Sequence, residues 1–491
     1  MHYINGIDRN QTELLPDSIE DYVGQDNPVR VIDAFIDSLD MSALGFAHSV
    51  PNDMGRPPYD PKDILKLYVY GYMNRIRSSR RLEKETRRNL ELMWLLRRLS
   101  PDHKTTARFR SGNVKALKGV FRSFVKLCMR LGLYGKELEA LDGSKFKAVN
   151  SKERNYTEGK LKDRIGKIDE KINRYIEELA RNDQEEDGSE KEKSAQEIQG
   201  IIEGLQNRKE RYEGYADELE KTGETQKSLT DSDSRLMKAN GKMDVCYNVQ
   251  TVVDSANKLI VDFEVTNRPE DYNQIKGMSS MAQDILETED LTIVTDAGYA
   301  SVQDIVASIE AGVDVHVAGT DFDVCVPSDT QQESEITGHK DGKCVYYSSR
   351  NIVLCPMGKV LYPRFYKEEK KQGVFANSAV CKGCTCKCTK EKRGRRHEVS
   401  MREEEFKETY NEDNLFVKQL RIKADRALVS ERKSIVEHPF GTIKRGMDAA
   451  YCLTKGIEKV RGEFSFTFLA YNIKRVINIL GIAKLTAMCR A

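Results

Sequence analysis

Apolar residues at Val29, Val31, Ile32, Ala34, Phe35 and Leu39 carry the spacing of an amphipathic helix. The segment Pro57-Pro58-Tyr59-Asp60-Pro61 is a rigid break. A helix is expected from Asp63, with Ile64, Leu65, Leu67, Tyr68, Tyr70 and Tyr72 ahead of a basic stretch at 75–81. Further helices are expected at about 82–98 and 112–132, so residues 1–135 read as all-α. The pattern then changes. Leu161, Ile165, Ile168, Ile172, Tyr175 and Leu179 step by fours and threes. After a polar turn at 181–190 the seam resumes at Ile198, Ile202, Leu205, Lys209, Tyr212, Ala216 and Leu219. Two helices of roughly 25–30 residues, folded back as an antiparallel coiled-coil hairpin over 158–222, fit that seam.

Around the hairpin the period falls to two. A short strand ends at Leu141-Asp142-Gly143, and Val245–Val253 and Lys258–Val265 alternate as a strand pair about Asp254-Ser255-Ala256-Asn257. A helix follows at about 272–287, then a strand at Leu291–Thr295 running into Asp296-Ala297-Gly298-Tyr299. A helix at about 301–311 and a strand at Val313–Ala318 complete the series. Three strands, then helix-strand-helix-strand, predict an α/β core with a mixed sheet flanked by helices, in two parts (136–157 and 223–319). Residues 320–400 read as a small Cys-rich insertion and 401–491 as a helical remainder of the core.

Composition narrows the class. Charged residues make up 32% of the 491 positions, and mean hydropathy is −0.60. No apolar run reaches the length of a membrane span; the nearest, at 464–485, is interrupted by Lys474, Arg475 and Lys484. Met1-His2-Tyr3-Ile4-Asn5 lacks the form of a secretory signal, so no membrane partner and a cytoplasmic protein are expected. Net charge is +1, but residues 61–130 hold 19 Lys/Arg against 5 Asp/Glu. Such segregation favours a polyanion partner over a set of solvated helix faces.

Asp142 and Asp296 each read as standing just past an apolar strand, where an α/β sheet opens onto its ligand crevice. Two such carboxylates suit Mg²⁺, although Asp142-Gly143 is also a turn signal. Glu437 lies on a helical stretch from Arg426, among Arg432, Lys433, Lys444 and Arg445. That setting suits a site holding metal and phosphate together, or a helix surface laced with salt bridges. Asp231 and Asp233 read as capping or turn residues, Asp271 as a helix start, and His438 as either an assistant to Glu437 or a packing residue. Cys355, Cys381, Cys384, Cys386 and Cys388 cluster as a tetrahedral Zn²⁺ site would, one from a turn and three from a knuckle. No Ser-His-Asp spacing and no phosphate-binding Gly-Lys-Ser/Thr loop accompanies them.

Three segments carry a resemblance: Leu141-Asp142-Gly143-Ser144-Lys145-Phe146, Thr295-Asp296-Ala297-Gly298-Tyr299 and Val436-Glu437-His438-Pro439-Phe440-Gly441-Thr442-Ile443-Lys444. With Gly55-Arg56-Pro57-Pro58-Tyr59-Asp60-Pro61 and the basic stretch 75–81, the chain resembles a bacterial insertion-sequence DDE transposase of family eleven-eighty-two. The resemblance implies a ribonuclease-H-like core behind a helical DNA-binding region. It makes Asp142, Asp296 and Glu437 a triad for two Mg²⁺ ions, replaceable by Mn²⁺, in DNA cleavage and strand transfer. It implies double-stranded DNA as partner, through terminal inverted repeats and target, a homodimer at least on DNA, and a nucleoid-associated location. DNA contacts are expected at Arg80, Arg81, Lys145, Arg235, Arg432, Lys433, Lys444 and Arg445. The zinc ligands it favours are Cys355, Cys381, Cys384 and Cys388, with Cys386 the alternative. Val429 stands where the family's tyrosine is expected. A DNA-binding architectural protein with a silent core, or a nuclease without strand transfer, are the competing classes.

Overall fold

The computed structural model describes residues 18–50, 57–182, 195–239, 241–327, 336–338, 344–382, 384, 395–408, 410 and 417–491. The N-terminal helices are α1 (Val29–Asp37), α2 (Pro61–Met73), α3 (Ser79–Glu85), α4 (Leu90–Leu95), α5 (His103–Gly112) and α6 (Val114–Arg130). Helix α2 begins as its sequence dictates. The Asp60 side chain accepts the Lys62 N–H, and Pro61 sits in the first turn, where its missing N–H costs nothing. The helix expected at 82–98 is two, because Asn89 turns extended and its side chain accepts the N–H groups of Glu91 and Leu92, starting α4 afresh.

The central sheet is built from β1 (Glu139–Lys147), β4 (Arg235–Ala239), β5 (Lys242–Asp254), β6 (Ile260–Thr266), β7 (Leu291–Thr295) and β8 (Val313–Val317). Their order is β4-β5-β1-β7-β8, with β6 sharing the β4 edge of β5. β5 runs antiparallel to β1, β4 and β6, whereas β1, β7 and β8 are mutually parallel. Helices α9 (Ile275–Leu286) and α10 (Val302–Glu310) supply the crossovers between the later strands. The result is a mixed α/β protein.

Two excursions leave this sheet. Short strands β2 (Asn155–Thr157) and β3 (Gln226–Ser228) pair to close the base of a hairpin of α7 (Glu158–Asn182) and α8 (Ala195–Thr222). Leu161, Ile168, Ile198, Leu205 and Leu219 are buried along its seam, and Lys209 bridges to Asp169 at 2.7 Å. The polar turn expected at 181–190 lies mostly outside the described residues. The second excursion departs on β9 (Asp321–Pro327) and returns on β16 (Val417–Lys423), which pair antiparallel along their full length. Between them β10 (Ile336–Gly338), β11 (Val345–Tyr347), β12 (Ile352–Leu354), β13 (Val360–Lys367), β14 (Gln372–Ala376) and β15 (Arg396–Ser400) form an antiparallel meander. α11 (Ser378–Lys382) precedes β15 and α12 (Glu403–Lys407) follows it. The remainder expected to be helical from 401 therefore also contains a strand, β16, whose partner lies too far upstream to leave a local signal.

Helix α13 (Arg426–Gly441) leads through one π-turn (Thr442–Gly446) to α14 (Ile457–Leu480) and α15 (Ile482–Arg490). Every residue of α14 from Gly462 to Ile473 is buried. Its rings reach three ways. Phe466 stacks on Tyr68 (4.7 Å) and Tyr72 (5.3 Å) of α2, Phe468 meets Phe263 of β6 (4.7 Å), and Phe464 meets Phe146 of β1 (4.7 Å). The N-terminal helices and the sheet therefore share one apolar core. No helix among the described residues is long and apolar enough to cross a membrane.

The basic excess of residues 61–130 is partly turned inward. Lys66 pairs with Asp33 (2.6 Å) and Asp37 (2.8 Å), Lys118 with Glu264 (3.3 Å), and Arg122 with Asp262 (2.5 Å). Arg77 meets Glu463 of α14 at 3.3 Å, both almost wholly buried. Glu463 also accepts the N–H groups of Leu453 and Thr454. Replacing Glu463 with Ala leaves Arg77 charged and unpaired inside the core, and is expected to cost about 3–5 kcal/mol. Urea unfolding followed by circular dichroism measures it; a loss below about 1 kcal/mol would contradict the role given to this pair.

Candidate active site

Asp142 is the fourth residue of β1 rather than a residue beyond its end, because β5 continues to pair with β1 as far as Lys147. Asp296 does stand directly after β7. The parallel register sets Ala140 opposite Val294, so two residues further along Asp142 and Asp296 lie level on adjacent strands. The period of two puts Asp142 on the β1 face shared with Ser144 and Phe146. Helix α13 covers that face: Arg432 Nη1 lies 3.3 Å from Asp142 Oδ1.

The opposite face of β1 carries Gly143 and Lys145, paired with Gln250 and Asn248 of β5. Into the space above Gly143 comes Asp271. Its Oδ1 accepts from Lys145 Nζ (3.0 Å), Asn248 Nδ2 (2.7 Å) and Gln250 Nε2 (2.7 Å). A β-carbon on Gly143 would collide with that oxygen and with Gln250 Nε2, so the glycine after Asp142 leaves the Asp271 carboxylate the room it occupies. A β-carbon on Gly298 would stand 3.0 Å from Asp296 Oδ1 and 4.0 Å from Asp271 Oδ2, so both carboxylates border the same turn. Gln250 in turn accepts from the buried Tyr299 hydroxyl. Asp271 does not start α9: the first N–H groups of that helix, on Ile275 and Lys276, are taken by Asp304 at 2.6 and 3.0 Å.

Electrostatics follow from this packing. Burial pushes the Asp142 carboxyl up to about 6, Arg432 opposes the rise, and the charges of Asp296 and Asp271 add to it. Asp142 is thus a carboxylate short of positive charge. Lys444 is pulled below the ordinary lysine range by burial. Its ammonium donates to Ser144 Oγ (2.5 Å) and the Lys145 carbonyl (3.1 Å), over the Phe146 ring at 4.6 Å.

The other expected residues divide. Arg235 is held by Glu224 (3.1 Å) and the Ser232 carbonyl, while Arg80, Arg81, Lys433 and Arg445 are exposed. Asp231 accepts from Tyr247 (2.7 Å) and Gly456 (3.0 Å), and Asp233 from the Ile457 N–H (2.8 Å), so the pair caps α14. His438 turns to the Tyr471 hydroxyl (2.9 Å), which is packing. Glu437 is exposed on α13, five residues and about 140° of helical rotation from Arg432. Among the described residues no three His, Cys, Asp or Glu side chains are arranged to hold a metal ion. Val429 lines a cavity of about 1020 Å³ with His316, Thr320, Lys423, Arg426 and Ser430. In the meander, Cys355 is buried with Tyr346, Val353 and Phe375, and Cys381 packs against the same cluster. The Cys384 N–H reaches the Cys381 carbonyl at 3.4 Å. Cys386 and Cys388 lie outside the described residues.

Sequence reading passed over Asn248 and Gln250. Their signal was present: two amides, both wholly buried, alternate on a strand otherwise made of Tyr247, Val249, Thr251 and Val252. Buried amides at a period of two ask for a polar partner on that face.

Comparison with known proteins places two matches on the chain. A family model described as "Transposase domain (DUF772)" matches residues 17–112. A second, described as "Transposase DDE domain", matches residues 354–477, which contain Cys355, Cys381, Cys384, Arg432, Glu437 and Lys444. No curated protein matches. Among solved structures, a piggyBac transposase synaptic complex with hairpin DNA aligns over 95% of this chain and 79% of its own, at 9% identity and a TM-score of 0.29. A likeness that loose carries no argument.

Ionising Asp142 at neutral pH opposes folding, since its folded value lies above the roughly 3.9 of a free aspartate. The cost is full above pH ~6 and vanishes below pH ~4, where both states are protonated. Asp142→Asn is therefore expected to stabilise the metal-free protein by about 1–2 kcal/mol at pH 7.5, with the gain fading toward pH 4. Urea unfolding at both pH values checks it, and a variant less stable at pH 7.5 would refute it.

Proposed function

We propose that the chain is an insertion-sequence DDE transposase, a reading that its two matched transposase domains support, and that Asp142, Asp296 and Glu437 are its metal-holding triad in a ribonuclease-H-like core. The observation that carries this is the level placement of Asp142 and Asp296 on adjacent parallel strands. The sheet order supports the core assignment, with antiparallel strands on one side of β1 and parallel strands on the other.

The donor chemistry of these side chains suits a hard divalent cation. All three donors are carboxylates, and Asp142 is held partly buried with less positive charge than it needs. When bound, Mg²⁺ or Mn²⁺ supplies activation of water and then of a DNA 3′-hydroxyl for attack on phosphodiesters. The chain's own residues do the rest. Arg432 neutralises Asp142 until the ion arrives. Lys444 pins the β1 backbone beside Asp142 through Ser144 and Lys145. Glu437 shares α13 with Arg432, so the helix that releases Asp142 also carries the third carboxylate. Lys433 is exposed on α13, Arg445 on the π-turn after it, and Arg80 and Arg81 on α3. Such cations grip phosphates irrespective of sequence. The substrate is double-stranded DNA at the element's terminal repeats, joined to a target by a homodimer holding two ends, in a nucleoid-associated protein.

Cys355, Cys381, Cys384 and Cys388, with Cys386 as alternative, hold a structural Zn²⁺. The shared cluster of Cys355 and Cys381 supports this, since both the turn and the knuckle reach one place.

With Mg²⁺ and DNA bearing the element's ends, the wild type is expected to cut and join, whereas Asp296→Asn binds DNA equally but loses at least about a thousandfold in cleavage. Equal binding with no cleavage by either protein would instead support a silent DNA-binding protein. For zinc, metal analysis should find one equivalent in the purified protein and none in Cys355→Ser, with earlier thermal unfolding; an unchanged zinc content would rule out Cys355 as a ligand.

A further inference from the structure

From His103 to Lys136 the chain carries nine Lys/Arg and no Asp or Glu. The fold employs five of these cations. Arg110 lies over the Tyr68 ring at 5.5 Å, and Lys118 and Arg122 pair with Glu264 and Asp262. Lys126 lies 3.8 Å from Glu287, and Lys136 donates to the Leu286 carbonyl at 2.6 Å. Lys104, Arg108, Lys115 and Arg130 are exposed, and among the described residues none of them has an ion pair or a side-chain hydrogen bond. Lys104 and Arg108 stand on α5, and Lys115 in the first turn of α6.

Helix α5 has two unlike faces. The inner one is locked by rings: Phe109 stacks on Phe46 (5.5 Å) and Tyr68 (6.4 Å), and the Tyr68 hydroxyl donates to the Thr106 carbonyl (2.9 Å). The outer one presents Lys104, Arg108 and Ser111 at i, i+4 and i+7, all exposed. Beside them is Gly112, where a β-carbon would meet nothing within 4 Å. Asp102, the acid just before the helix, is occupied in capping: it accepts the N–H groups of Lys104 and Thr105 and the Thr105 hydroxyl. Helix α3 is fastened to the same start, with Glu83 2.7 Å from the His103 ring and the Thr86 and Ser100 hydroxyls 2.8 Å apart. A helix about 10–12 Å across, held firmly on one side and cationic on the other, matches a major groove about 12 Å wide.

We propose that α5 is the helix that reads the sequence of the element's ends in the major groove, with Arg108 on a base edge and Lys104 and Lys115 on phosphates. The inference rests on the reading of the chain as a transposase that binds those ends. Arg108 stands between Lys104 and Ser111 on the exposed row, so the cation best suited to a base edge has the central place. Its planar guanidinium can donate two parallel bonds to the O6 and N7 of a guanine, which an ammonium does not reproduce. Lysine serves a phosphate as a point charge.

Binding of the full-length protein, without divalent metal, to two duplexes of equal length tests this. One bears an end of the element and the other the same bases in scrambled order; fluorescence anisotropy is read at several salt concentrations. Wild type is expected to prefer the end by about a thousandfold or more. Arg108→Lys keeps the charge and should hold the scrambled duplex as wild type does, while its preference for the end falls at least about tenfold. Lys104→Ala should weaken both duplexes alike and lower the salt slope by about one. Arg130→Ala, equally exposed but about 20 Å further along α6 than Lys115, should change neither. An unchanged preference in Arg108→Lys, or equal losses on both duplexes, would overturn the base-reading role. A wild type that binds both duplexes equally would instead remove the end-binding reading itself, and the role of α5 with it.

Discussion

Side chains on a strand alternate faces, so a slip of one residue in the pairing of β1 would exchange everything the site contains. Asp142 would leave Arg432 and α13 for the α9 face, and Gly143 would no longer make room for Asp271. The register is fixed from both sides. β5 pairs with β1 through nine successive residues, and β7 sets Glu139 and Ala140 opposite Ile293 and Val294. Leu141 and Phe146, both wholly buried, lock the alternation to the apolar layers above and below. Asp142 is thus held by backbone pairing and core packing, and the strand register in turn sets where Asp296 stands beside it.

That rigidity contrasts with how the cations are arranged. Arg432 arrives on a helix, Lys145 on β1 itself, and Lys444 on a single π-turn after α13, a local widening of the helix that recurs at functional sites. Asp142 sits within the sheet and Asp296 directly after a strand of it, and Arg432 and Lys444 sit on elements laid over it. Binding a cation between the two carboxylates changes which side chains are satisfied without requiring any strand to move.

Local pattern revealed much of this and missed what depends on distance along the chain. The strands at 245–253, 258–265 and 291–295, and the seam of the helical hairpin, were legible because each has its own period. The heptads gave two helices of nearly the observed length. Asp142 reads as a strand end because Asp142-Gly143 is a turn signal; only the partner strand β5 shows that the ladder continues. Asp271 was read as a helix start for the same reason, since its real partners, Lys145, Asn248 and Gln250, come from two other strands. The charge excess of the basic stretch favours a polyanion partner, yet Arg77 within it is turned inward, to a Glu463 that lies 386 residues further along. Strand β16 leaves no local signal because its partner β9 lies on the far side of the Cys-rich insertion.

Helix α14 has a consequence for synthesis. The stacking partner of Tyr68 and Tyr72 is Phe466, so the N-terminal helices lack their central filler until nearly the whole chain has emerged from the ribosome. Nascent α2 must wait with its tyrosines uncovered, open to chaperones and slow to commit, because contacts of such sequence separation form late. The N-terminal helices are consequently not finished early: they complete their packing only once α14 has emerged.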